Sequence, residues 1–91
     1  MAQHQNAALR RKIGERVRAL RERAGISSQE SLANLARVHR TYVGRLERGE
    51  SGVTVETLAA ILAPLDIGLG EFFEPFADVL KLRTPRRRSY G

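Results

Sequence analysis

A compact all-α domain of five helices with a short C-terminal helical extension is the expected fold of this chain, for three reasons. Apolar residues recur at three- and four-residue spacings along most of the sequence and nowhere alternate as a strand would require. Helix caps and stops punctuate those runs at Gly25, Ser27, Gly49 and Thr54. A length of 91 residues without a cysteine leaves room for one small core, with no disulfide to staple it and no thiolate for metal binding or catalysis.

The elements follow in order. Residues 1–8 carry no periodic apolar pattern and are expected to be disordered. Leu9, Ile13, Val17, Leu20 and Ala24 then mark one face of a first helix whose other faces are arginine-rich, and Gly25 stops it. Ser27 with Glu30 forms a capping box for a second helix running to about Ala36, with Leu32, Ala33 and Ala36 inward. After a break at Arg37–His39, a third helix spans Arg40–Arg48, anchored by Val43 and Leu46 and ended by Gly49. Thr54 caps a fourth helix through Leu65. Pro64 lacks an N–H and crowds the carbonyl of Ala60, so the last turn should kink or tighten. Gly68–Phe73 forms a short fifth helix, and Pro75 starts an extension with Phe76, Val79 and Leu80 on one side. The globular unit is thus 9–82, and 83–91 is a separate tail.

Charge divides the chain as sharply as periodicity does. Residues 1–49 hold 11 basic and 4 acidic groups, 50–82 hold 1 and 6, and the tail holds 4 and none, for a net charge of +6. Fourteen of the 16 basic residues are arginine, whose planar fork suits phosphate and guanine, so a polyanionic partner is favoured. The longest apolar run, Leu58–Leu65, is eight residues, far below the roughly 20 that span a bilayer. With no apolar stretch of signal-peptide length at the start, a soluble cytoplasmic protein is expected.

The most informative stretch is Gln29–Arg48, QESLANLARVHRTYVGRLER, two short helices around a three-residue break. It resembles the helix-turn-helix of the Xre family, the phage-repressor and Cro-like regulators. Ala33 is small where the helices cross, Val38 plugs the turn, and Val43 and Leu46 anchor the second helix. The resemblance extends from about Ile13 to Phe73 through LERGE, TVETLAAILAPLDI and GEFF. Within the family, HRTYVGRLERG is most similar to the controller proteins of restriction-modification systems. Three departures stand out. Arg37 occupies the turn position where the family has glycine at positive φ, a strain of about 1 kcal/mol. One extra residue precedes Gln29, and Asp66 replaces the glycine that ends the fourth helix.

The resemblance implies a repressor-like domain that binds double-stranded DNA as a homodimer, on a pseudo-palindromic operator through the major groove. It puts the side chain or backbone N–H of Gln29 on a phosphate and His39, Arg40, Thr41, Gly44, Arg45 and Arg48 on the outer face of the recognition helix. Arg40, Thr41 and Arg45 are the candidates for base edges, since arginine suits guanine O6/N7 and threonine offers a methyl to thymine. Gly44 would let the backbone approach DNA, Tyr42 would stack or bond a phosphate or else pack partly buried, and the Arg37 guanidinium would contact phosphate. In the family the positions of Arg21 and Glu47 are bridged by a structural ion pair, which is expected here. Self-association is expected through Leu65, Ile67, Leu69, Phe72 and Phe76 in the acidic, apolar back half, although Phe72, Phe73 and Phe76 read equally as core.

Rival functions have less behind them. An antitoxin with a toxin partner, autoregulating its operon, would need a toxin-binding segment, and only 74–91 are spare. Glu71 and Glu74 have no nucleophile or histidine beside them, so no enzyme is expected. His39 lacks a second ligand, so neither metal nor cofactor is expected. The tail RTPRRRSYG, with Arg83, Arg86, Arg87 and Arg88, should be mobile, serving either solubility or added phosphate contacts.

Overall fold

A computed structural model describes residues 2–76. Five α-helices follow one another: α1 (Ala2–Arg23), α2 (Gln29–Ala36), α3 (Arg40–Glu47), α4 (Val55–Leu62) and α5 (Leu69–Phe73). Single 3₁₀ turns extend α4 over Ala63–Leu65 and α5 over Glu74–Phe76, and there is no strand among the described residues.

The first helix begins at Ala2, so most of the segment 1–8, expected to be disordered, is helical. Its alanines and glutamines are adequate helix formers and contain no glycine or proline, so the helix begun over the core can continue backward without one. Ile13, Val17 and Leu20 are buried on its inner face, whereas Ala24 lies past its end and is exposed. Gly25 takes φ 82° as the chain turns away. Helix α2 starts one residue later than the capping box implied. Ser28 is the N-cap, its Oγ accepting from the Ser31 N–H at 3.0 Å, because the extra serine shifts the hydroxyl that reaches the first free amides.

One core joins all five helices. Val17, Leu32, Val43, Leu46, Leu58, Ile61, Leu62 and Phe72 are fully buried at its centre, and Ala33 at 1% exposure marks the crossing of α2 with α3. Helix α1 lies so close to α3 that a Cβ on Gly14 would sit 2.2 Å from the Leu46 carbonyl oxygen and 2.7 Å from that of Glu47. Gly14 therefore sets the depth at which α1 seats on the third helix.

Pro64 tightens the end of α4 into the 3₁₀ turn as its chemistry requires, and Asp66 closes the turn at φ 60°. The back half then folds onto α1 through an arginine. Arg16 Nε donates to the Phe72 carbonyl at 2.7 Å and Nη2 to that of Glu71 at 3.3 Å, with the guanidinium carbon 5.4 Å from the Phe72 ring centroid. Phe72, Phe73 and Phe76 pack with centroids 5.0 to 5.8 Å apart. This packing removes Leu65, Phe72 and Phe76 from the surface expected to self-associate and leaves Ile67 and Leu69 half-buried. Val79, Leu80 and the arginines of 83–91 lie outside the described residues. No helix among the described residues is long and apolar enough to cross a membrane.

Candidate nucleic-acid interface

The turn between α2 and α3 is made by Arg37, whose φ 63°, ψ 41° is left-handed. Its N–H bonds the Asn34 carbonyl and the following Val38 N–H bonds that of Ala33, closing α2 with the two bonds typical of a left-handed cap. Non-glycine residues visit this region at a cost, so Arg37 stands where the chain geometry called for glycine. Its side chain is exposed beside the turn.

His39 then starts α3. Its Nδ1 accepts from the Thr41 N–H at 3.1 Å, which leaves the ring proton on Nε2 and directs that edge to solvent. Along α3, Val43 and Leu46 are buried, while Arg40, Thr41, Arg45 and Arg48 are exposed. Arg48 caps the helix rather than belonging to it, and Gly49 at φ 75° turns the chain close over Arg11. His39, Thr41, Tyr42, Arg45 and Ser51 line one shallow groove. Arg40 is also exposed but lies about 140° around the helix axis from Arg45, at 100° per residue.

Glu47, the one acidic residue of α3, is turned inward. Arg21 Nε donates to its Oε2 at 2.7 Å and Nη2 to its Oε1 at 3.1 Å, while Nη1 reaches the Ile26 carbonyl at 3.0 Å. The two side chains are 6% and 1% exposed. The bonded carboxylate holds the Arg21 pKa above its ordinary value against the opposing effect of burial. Gln29 Nε2 completes the network with a 2.9 Å bond to Oε1. Of the two Gln29 groups expected on a phosphate, the side-chain amide is thus bonded to Glu47, and the backbone N–H is the one not committed to it.

Gly44 and Arg48 differ from their expected surroundings, and Tyr42 takes the packing position that was one of its two expected roles. Gly44 is buried rather than on the open face, because Gln29 and Arg48 fold over it. A Cβ there would lie 3.0 Å from Gln29 Oε1 and 3.2 Å from Arg48 Nη1. Tyr42 is half-buried against the core and donates its hydroxyl to the Gly52 carbonyl at 3.3 Å, and burial pushes its pKa up. Arg48 is held by Glu50 through bonds of 2.9 and 3.2 Å, an exposed pair that raises the arginine pKa and lowers that of Glu50.

Sequence reasoning missed Gly14, which sets the seat of α1 against the recognition helix, and Arg16, which ties α5 to α1. The signal for Gly14 was present: a glycine inside an otherwise good helical pattern marks a close approach. For Arg16, one arginine among many on a polar face carried none.

The helix-turn-helix model HTH_3 matches residues 17–72, from the middle of α1 to α5. The chain belongs to this Xre-like helix-turn-helix family. The control protein C.SmaI of Serratia marcescens is 41% identical over 54 residues, covering 59% of this chain and 63% of that protein, so the match falls short of two thirds of that relative's length. The crystal structure of the restriction-modification controller protein C.AhdI from Aeromonas hydrophila superposes with a TM-score of 0.69 at 41% identity, over 72% of this chain and 98% of that one. An HTH_3 family transcriptional regulator from Vibrio cholerae superposes at 0.74 with 28% identity, over 88% of this chain and 44% of its own. The fold, the helix-turn-helix and membership of a family of DNA-binding transcriptional regulators therefore stand together.

Proposed function

We propose that this chain is a controller-type regulator that binds a pseudo-palindromic operator as a homodimer and adjusts transcription of restriction-modification genes. The observation that carries the reading is the charge sorting of α3. Its single carboxylate, Glu47, is buried against Arg21, while Arg40 and Arg45 are exposed, and no salt bridge engages either one among the described residues. An outer face with cations and no free carboxylate is what a helix entering the major groove requires. Within it, Thr41 and Arg45 share a groove with His39 and Tyr42 and are the strongest candidates for base edges. Arg40, displaced around the helix, is suited to the other wall of the groove. Arg37, whose guanidinium has no salt bridge among the described residues, and the N-terminal amides of α2 are suited to the flanking phosphates.

Two half-sites about 34 Å apart follow if two copies present their recognition helices to successive major grooves. Ile67 and Leu69, with Phe73, are apolar side chains of the back half that are only partly buried among the described residues and are suited to a second copy. The restriction-modification assignment rests on the names of C.SmaI and C.AhdI, each 41% identical. None of the three relatives is named as an antitoxin, and the toxin-binding alternative gains no support from them.

The test is selection of binding sites from a randomised duplex library, followed by anisotropy titration. The reading predicts recovery of an inverted repeat with half-sites one helical turn apart. Recovery of no shared sequence would overturn it.

A further inference from the structure

Two buried polar atoms have no hydrogen-bond partner among the described residues: Arg10 Nε and Ser51 Oγ. They line the same pocket of about 220 Å³, closed by Leu9, Ile13, Leu46, Gly52 and Val53, where α1 meets the loop between α3 and α4. Buried polar groups are paired in most native proteins, so two orphans on one cavity call for a polar partner that the described protein atoms do not supply. Nε of a guanidinium can only donate, and a serine hydroxyl can donate or accept, so the two could satisfy each other. They do not, and both line the one cavity, which has room for an acceptor. The nearby acids are committed elsewhere, Glu47 to Arg21 and Glu50 to Arg48. An anion with several acceptor oxygens fits both the charge and the hydrogen-bonding demand.

Ser51 connects this pocket to the recognition surface. It lines both the Arg10 pocket and the groove formed by His39, Thr41, Tyr42 and Arg45. The Arg10 stem lies over the same loop, its Cδ 3.8 Å from where a Cβ on Gly52 would be. A DNA strand passing along that groove would run beside Ser51, the residue the groove shares with the pocket.

We propose that Arg10 and Ser51 form a seat for a DNA backbone phosphate, supplied by α1 and the α3–α4 loop and separate from the base-reading side chains. The inference rests on the DNA-binding reading. Arg10 donates Nε–H and an Nη–H to the phosphate oxygens, Ser51 donates its hydroxyl, and the contact adds affinity and register without base preference.

The experiment measures duplex affinity of the wild-type chain, Arg10→Gln, Arg10→Lys and Ser51→Ala against salt, on selected and on scrambled duplexes, with melting curves for each. Arg10→Gln should weaken both duplexes alike, by about tenfold at moderate salt, and lower the slope of log K against log salt by about 0.9 per subunit. Arg10→Lys should retain the slope. Ser51→Ala should weaken both duplexes several-fold at unchanged slope and without loss of melting temperature, because it removes an unsatisfied hydroxyl. An Arg10→Gln variant that melts lower but keeps the wild-type slope makes Arg10 a packing residue and overturns the seat. Should Arg10→Gln fail to fold, wild-type affinity in Ser51→Ala overturns it equally. A melting shift of the free protein with inorganic phosphate over chloride at matched ionic strength, lost in Arg10→Gln while the DNA slope is unchanged, assigns the pocket to free phosphate instead. Wild-type protein that binds no duplex overturns both this inference and the DNA-binding reading.

Discussion

Removing Glu47 is the most informative perturbation of the structure below the recognition surface. Glu47→Ala leaves the Arg21 guanidinium, with its side chain 6% exposed, facing an empty space. It also frees Gln29 Nε2 from its bond across α2 and α3. Stranding one member of a buried ion pair costs 3 to 5 kcal/mol in typical cases, and the bond that Arg21 retains to the Ile26 carbonyl places this site at the lower end, about 3 kcal/mol. For a domain of this size that corresponds to a fall in Tm of roughly 12 °C or more. Glu47→Gln keeps an acceptor for one donor and should lose about half as much. The paired variant Arg21→Met with Glu47→Leu removes both charges and should recover most of the loss, because the cost lies in the stranded charge and not in the missing pair. Thermal melts followed at 222 nm, with urea titrations for each member of the cycle, measure all of these. A loss below about 1 kcal/mol for Glu47→Ala, or a double variant whose loss is the sum of the singles, would refute the reasoning.

Gly14→Ala should destabilise the domain by about 2 to 3 kcal/mol despite the better helix propensity of alanine, since the new methyl meets the Leu46 and Glu47 carbonyls and α1 must lift away; an increase in urea midpoint would contradict it. Arg37→Gly should leave stability unchanged or raise it by up to about 1 kcal/mol by relieving φ 63°, and a clear loss in the same titration would mean that the guanidinium holds the turn. Tyr42 has a folded pKa raised above the ordinary 10.0 by burial, so its neutral form is favoured in the native state. Its contribution is fully present below about pH 10 and is lost as pH rises through the folded value. Comparing wild type with Tyr42→Phe at pH 8 and pH 11 should therefore show the wild-type advantage shrinking at the higher pH, and an unchanged difference would contradict the shift.

The helix order, the core and the turn were legible because each rests on short-range chemistry. The spacing of Ile13, Val17 and Leu20, the glycines at the helix ends and Pro64 each act within a few residues of themselves. What was not legible depends on pairs distant in sequence. Gly44 reads as an outward position by helical period, and only the fold of Gln29 and Arg48 over it shows that it is covered. Leu65, Phe72 and Phe76 read equally well as interface or core, and the reach of Arg16 across 56 residues to the Phe72 carbonyl decides for core. The extended start of α1 escaped because periodicity detects a buried face, and a helix can run on past the last residue it buries. The charge sorting of α3 was half visible: the arginines were plain, but the inward turn of Glu47 depends on Arg21, 26 positions away.

The central claim is that the exposed face of α3 reads bases, and Arg45→Ala tests it most directly. Affinity is measured on the selected operator and on duplexes carrying each single base change in one half-site. The account predicts a loss of about 1 to 3 kcal/mol on the operator, with base preference relaxed at one position per half-site and kept elsewhere. Equal weakening on every duplex, with all preferences intact, would make Arg45 a phosphate contact and contradict the claim.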